Sequence, residues 1–277
     1  MTTVPFTKMH GLGNDFVLLD ERRNPTPLDS AWIARLADRH RGIGFDQLVV
    51  IDADPELDVH VRFFNADGSE SGACGNASRC VAKLIHSETG RDRIWMRTSR
   101  GILEAVRDGQ LWTVDMGRPR LAWDEIPLTH DCDTEAVPVD VAGLPRPFAV
   151  SMGNPHAVFV VDHLESLDVA GMGSMLERDP MFPERANIGF VQVLDRQNVR
   201  LRVFERGVGL TLACGSGTCA AMVALVKKGL VDGRVTFQLD GGELVLAWDG
   251  MSGVRMTGPA AIVFTGEISA EYLPGDA

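Results

Sequence analysis

A chain of 277 residues, 45% apolar and 23% charged, can build one large domain or two of ordinary size. Its net charge of −11, with no basic run, sets nucleic acid aside as a partner. No apolar run approaches the roughly 20 residues that a membrane helix needs. The five cysteines are an odd, sparse set without a CxxC pair. They read as reduced thiols in a cytoplasm and argue against a zinc site or a thioredoxin-like motif.

The first twenty residues carry Lys8, His10, Asp15 and Asp20, which break any signal-peptide apolar region. DFVLLD (15–20), LVVID (48–52) and DVHVRFF (58–64) predict short strands. So do residues 93–98, 102–107 and 111–116, with turns at Arg100-Gly101 and Asp108-Gly109. Between them, a helix is expected from near Ser30, burying Ile33, Leu36 and Ala37, and another after Cys74, ending before Gly90. Residues 119–146, with several prolines and acidic residues, suit a crossover. A further helix follows Cys214 through AAMVALVKK to Gly229, with Lys227 and Lys228 suited to its last turn. It is apolar nearly all round and is expected to be buried.

The chain also repeats itself. Gly13-Asn14 matches Gly153-Asn154, and Ala73-Cys74-Gly75 matches Ala213-Cys214-Gly215, both 140 residues apart. Met116 and Pro119 recur at the same spacing as Met256 and Pro259, and GILEAVRDG (101–109) resembles GELVLAWDG (242–250) at 141. IGFDQ (43–47) recurs as IGFVQ (188–192) at 145, which predicts a small insertion. A period of half the chain is too long for a solenoid and fits two copies of one domain. Each copy would be a mostly antiparallel sheet wrapped round one central helix.

The repeat gives the two cysteines a chemistry. In FFNADGSESGACGNASRC (63–80) and VFERGVGLTLACGSGTC (203–219), a strand leads through a glycine-containing loop to Cys-Gly and then a helix. A sulfur at a helix N-terminus meets free N–H groups and the positive dipole end, which favour thiolate. The same groups cradle a carboxylate. Inverting an α-carbon needs a base on one face and an acid on the other. A free thiol near pKa 8.5 is only about 3% thiolate at pH 7, and a helix terminus can raise that fraction about tenfold. Two sulfurs on opposite faces of one carbon would lie about 6–7 Å apart, far beyond the disulfide length of about 2.05 Å that a redox dithiol would reach.

Plainer readings stand beside this one. A lone cysteine is usually a small core residue, and Cys80, Cys132 and Cys219 are read so. Cys74 and Cys214 escape that reading because they occupy the same place in the repeat. His156, after Gly-Asn-Pro, could be a surface-loop histidine. Glu205 and Arg206 could be an exposed ion pair. Asn14, Asn65, Asn76, Asn154 and Asn187 could each cap a turn or helix. No full GxGxxG, P-loop, GxSxG or HExxH motif is present, and no lysine context suggests a pyridoxal Schiff base.

The motifs HGLGNDF (10–16), RGIGFDQ (41–47), FNADGSE (64–70), ACGN (73–76), GNPH (153–156), NIGF (187–190), ERGVG (205–209) and ACGSGT (213–218) together resemble the diaminopimelate epimerase family over essentially the whole length. The resemblance implies an α+β fold of two pseudo-symmetric lobes, each a mostly antiparallel, β-barrel-like sheet around a central helix. It sets the lobes at residues 1–118, completed by a tail of about 264–277, and 119–263. It implies interconversion of LL- and meso-2,6-diaminopimelate, on the route to lysine and peptidoglycan, by a cytoplasmic homodimer with no cofactor and no metal. Cys74 and Cys214 match the catalytic thiols, with Cys214 as acceptor and Cys74 as donor from LL to meso. His156 and Glu205 match residues that tune the thiols. Substrate contacts carry over to Asn14, Gln47, Asn65, Gly75, Asn76, Asn154, Asn187, Glu205, Arg206, Gly215 and Ser216. Arg206 would pair with a carboxylate.

One segment departs from the family's usual Gly-Ala-Arg-Cys after ACGN, reading Ala77-Ser78-Arg79-Cys80. Ala77 adds a methyl group to the first turn and favours helix. The rival readings are a proline or histidine racemase of the same fold, a member that has lost one thiol, and a redox dithiol. Proline-type enzymes carry Cys-Gly-His where this chain has Cys74-Gly75-Asn76, and both thiols are present here.

Overall fold

The computed structural model describes residues 3–72 and 74–273. Ala73 of the first repeated motif and residues 274–277 of the expected tail lie outside them. The chain packs as two compact units, Met1–Val114 with Gly258–Ala277, and Asp115–Thr257. The expected boundaries stand at 118/119 and 263/264, while the chain leaves the first unit after Val114 and returns to it at Gly258.

The first unit runs β1 (Val4–Gly11), β2 (Asn14–Asp20), α1 (Ser30–Ala37), β3 (Gln47–Asp52), β4 (Val59–Asn65), β5 (Glu70–Ser71), α2 (Gly75–Thr89), β6 (Arg93–Thr98), β7 (Gly101–Asp108) and β8 (Leu111–Asp115). The second runs β9 (Phe148–Ser151), β10 (Pro155–Val160), α3 (Val169–Leu176), β11 (Asn187–Val193), β12 (Asn198–Glu205), β13 (Gly209–Thr211), α4 (Gly215–Lys227), β14 (Arg234–Leu239), β15 (Gly242–Ala247) and β16 (Arg255–Gly258). A last strand, β17 (Ala261–Ile268), pairs antiparallel with β1 and so belongs to the first unit.

The strand pairings repeat. In the first unit β1–β2 and β3–β4 are antiparallel, whereas β2–β3 and β4–β6 are parallel. In the second, β9–β10 and β11–β12 are antiparallel, with β10–β11 and β12–β14 parallel. The strands of each unit are therefore mixed in direction, mostly antiparallel with two parallel steps. The register repeats too: Phe16 lies opposite Gln47, and His156 opposite Asn187. This overturns one expected match. Asn187, not Gln192, is the counterpart of Gln47. IGFDQ closes the loop before β3, while IGFVQ lies within β11, so the spacing of 145 marks a chance likeness and no insertion. The Met116–Met256 match fails likewise, since Val114 opposes Ala105 where Met256 opposes Leu246.

Burial explains the sequence patterns. Val17, Leu19, Leu48 and Val50 pack with Trp32, Ile33 and Leu36 of α1. Their neighbours Phe16, Leu18, Val49 and Ile51 are also buried and point to the opposite face by strand alternation. α2 packs against β2 and β1. A strand covered on both faces reads as an unbroken apolar run, as DFVLLD and LVVID do. Asp29 caps α1 by accepting the Trp32 N–H at 2.7 Å. α2 ends as expected at Gly90, whose φ of 71° suits glycine and whose N–H reaches the His86 carbonyl. α4 packs against β9, β10, β11 and β15, which leaves residues 217–225 buried throughout. Residues 119–146 form no helix or strand, yet Ile126, Leu128, Val137 and Val139 join the core of the second unit. Among the described residues no helix is long and apolar enough to cross a membrane.

Candidate active site

Both cysteines occupy the N-cap position of the helix that follows them, with extended backbones that turn the chain into the first turn. In the first unit the Cys74 carbonyl accepts the Ser78 N–H and hydroxyl, each at 2.9 Å. Its thiol points at Asn14 Oδ1, 4.0 Å away. Asn76, in the first turn of α2, donates Nδ2 to the same oxygen at 3.1 Å. Gln47 and Asn65 stand opposite each other at the ends of β3 and β4, and Gln47 Nε2 donates to Asn65 Oδ1 at 3.0 Å. The β-strand register thus pairs two of the residues named by motif, and the helix cap gathers three more: Asn14, Gly75 and Asn76.

In the second unit Cys214 is 4% exposed. Its sulfur accepts the Gly217 N–H at 3.4 Å and lies 3.7 Å from Ser216 Oγ. Thr218 closes the cap, donating its N–H at 2.9 Å and its hydroxyl at 2.7 Å to the Cys214 carbonyl. A Cβ added at Gly217 would lie 3.0 Å from Val203 and 3.2 Å from the Cys214 sulfur. The corresponding position of the first unit carries Ala77, and there the sulfur makes no first-turn cap bond. Asn154 Nδ2 donates to Ser216 Oγ at 3.4 Å, and its Oδ1 meets His156 Nε2 at 3.1 Å. Asn187 donates Nδ2 to the Pro155 carbonyl and accepts the Arg206 N–H, both at 3.0 Å.

Electrostatics overturn one expectation. The helix terminus was expected to favour thiolate. Burial instead pushes the Cys214 thiol well above its usual range, and the Glu205 carboxylate, which accepts a hydrogen bond from it, adds to the effect. The Gly217 N–H and Ser216 act in the expected direction and lose. Thr211 fixes the Glu205 carboxylate through a 2.6 Å bond from its hydroxyl. His156, 1% exposed, is pushed down to about 3 by burial and by Arg206, so it is neutral near pH 7. An amide oxygen only accepts, so His156 Nε2 carries the proton toward Asn154.

Three partners of these residues escape sequence reasoning. Glu184 gives its carbonyl to Arg206 Nη1 at 2.9 Å, Glu177 accepts the Gly207 N–H at 3.0 Å, and Thr211 holds Glu205. Glu177 and Glu184 come from distant segments that only tertiary packing brings to Arg206-Gly207, while Thr211 reaches Glu205 across the local β12–β13 hairpin, and no motif spacing marks any of them.

A repeated α+β unit, with the same strand pairings in each copy, defines a class of known fold. A hydroxyproline epimerase from Agrobacterium vitis shares it, with a TM-score of 0.70 and 15% identity, covering 97% of this chain and 93% of that one. So does a phenazine biosynthesis protein of the PhzF family from Bacillus anthracis, at 0.69 and 15%, covering 97% and 100%. At those identities the likeness is one of fold. The diaminopimelate epimerase family model matches residues 6–122 and 148–263. Diaminopimelate epimerases from Acidiphilium cryptum and Gluconobacter oxydans are 51% identical over 270 residues and 53% identical over 267. These alignments cover 97% and 95% of this chain, and 98% of each relative. The chain belongs to the diaminopimelate epimerase family of isomerases.

Proposed function

We propose that this chain interconverts LL- and meso-2,6-diaminopimelate without added cofactor, with Cys74 and Cys214 as the acid and base. The observation that carries the reading is the duplication. Equivalent helices of the two units each begin at a cysteine, in a chain about half identical to diaminopimelate epimerases along nearly its whole length.

From LL to meso, Cys214 takes the α-proton and Cys74 delivers one to the opposite face. Cys214 must first give up its own proton, and Glu205, already accepting from the thiol, is placed to hold it. The substrate carbanion needs charge stabilisation, which first-turn N–H groups supply to the adjacent carboxylate. Arg206 suits the second amino-carboxylate end as a bidentate partner. His156, being neutral, acts by orienting Asn154 and not by charge. A mechanism that needs both thiols reduced fits a cytoplasm. The homodimer implied by family resemblance is tested by light scattering.

The test is incubation with LL-diaminopimelate in D2O and chiral analysis of the products. Solvent deuterium should enter the α-position as the meso form appears. Cys74→Ala and Cys214→Ala should each abolish epimerisation. Full activity in either variant sinks the two-base assignment, and turnover of proline but not diaminopimelate moves the chain to another substrate.

A further inference from the structure

We infer that Asp46 and Arg79 are positioning residues that fix the direction of the two carboxamides beside Cys74, those of Asn14 and Asn76. The inference rests on the reading of Cys74 as an acid–base thiol. A carboxamide is nearly symmetric in shape but not in chemistry, because one end accepts and the other donates. A guanidinium only donates, and a carboxylate only accepts. Here they terminate one chain of hydrogen bonds. Arg79 Nη2 donates to Asn76 Oδ1 at 2.9 Å, Asn76 Nδ2 to Asn14 Oδ1 at 3.1 Å, and Asn14 Nδ2 to Asp46 Oδ2 at 2.8 Å. Reversing either amide would set donor against donor or acceptor against acceptor.

The direction matters at the sulfur. As built, Asn14 presents its oxygen to the Cys74 thiol, which supports S–H. A reversed amide would present N–H and support thiolate. The relay therefore favours the protonated state that Cys74 needs to deliver a proton.

Both ends are braced. Arg79 is fully buried in α2 and donates Nε to the Pro259 carbonyl at 3.2 Å. Asp46 accepts from Arg39 Nη2 at 2.8 Å and from the Asp15 N–H at 3.1 Å. Gly11 leaves the room, since a Cβ there would lie 3.1 Å from Arg79 Nη2 and 3.4 Å from Asn76 Cβ. Asp15, Asp46 and Gly11 thus acquire a role that their motifs do not state.

The experiment is a swap in the full-length protein. Asp46→Asn alone should lower kcat by about three- to tenfold, with KM changed less. Asp46→Glu keeps a group that only accepts and should stay within about threefold of the parent. Asn14→Asp sets two carboxylates together and should cost far more. Adding Asp46→Asn to it restores a donor between them and should raise kcat at least about tenfold. That reversal of sign is the signature of the relay. Asp46→Asn harmful in both backgrounds, or Asp46→Glu as damaging as Asp46→Asn, overturns the proposal.

Iodoacetamide labelling of Cys74, located by peptide mass, gives a second readout that needs no substrate. Asp46→Asn frees the Asn14 amide to turn N–H toward the sulfur and should speed labelling, while Asp46→Glu should leave it near the parent's rate; equal rates in the two variants overturn the relay. A parent protein inactive on diaminopimelate would sink the functional reading, while the labelling still decides the relay. If Asn14→Asp does not fold, the comparison of Asp46→Asn with Asp46→Glu decides it.

Discussion

His156 ties stability to pH in a way that can be isolated. Burial, aided by Arg206, pushes its pKa from the ordinary 6.5 down to about 3. Below 6.5 the unfolded chain binds a proton that the folded chain refuses. The contribution is therefore complete above pH 6.5 and is lost as pH falls toward 3. Between pH 7 and pH 5 the unfolded state gains this proton and the folded state does not, which costs about 2 kcal/mol. His156→Gln keeps a side-chain donor for Asn154 and removes the titration. Urea unfolding of both proteins at the two pH values gives the comparison, since every other titrating group is common to them. The parent should lose about 2 kcal/mol more than the variant. Equal losses would refute the claim that His156 is held neutral by the fold.

Three further outcomes follow from the same geometry. Gly217→Ala gains up to about 1 kcal/mol of helix propensity but crowds Val203 and the Cys214 sulfur, so a net loss of about 1–2 kcal/mol is expected by thermal unfolding. An unchanged or raised midpoint would show that the sulfur has room to move. Glu205→Gln removes a carboxylate that holds the Cys214 proton on. Iodoacetamide should then label Cys214 faster at fixed pH while epimerisation slows, and a slower labelling rate would contradict the assigned cause. Asp29→Ala removes the cap on Trp32 and should cost about 1 kcal/mol in chemical denaturation, with no change in thiol reactivity.

Local patterns carried much of the architecture. DFVLLD and LVVID announced β2 and β3 because strands covered on both faces must be apolar throughout. Gly90 and Gly229 closed their helices where expected. α3 went unread because VAGMGSML carries two glycines, and glycine weakens a helix pattern. The fold needs one of them: a Cβ at Gly173 would come within 2.4 Å of Phe204 on β12, a requirement written in another strand. The parallel steps were hidden likewise, since strand direction depends on crossovers. Cys74 and Cys214 were legible as a pair because a repeat is a property of sequence. The protonation of Cys214 was not, because burial belongs to the packed unit and there outweighs the helix terminus.

The pairing of β17 with β1 has a consequence for the order in which the chain assembles. On a ribosome, β1 emerges before the other strands described, and its antiparallel partner comes more than 250 residues later. A nascent chain stopped at Gly258 already holds every residue of the second unit, Asp115–Thr257. It lacks the strand that lies along β1 in the first. The half that carries Cys214 can thus close while the half that carries Cys74 still waits, so the later-encoded unit is the one with the shorter delay between synthesis and completion.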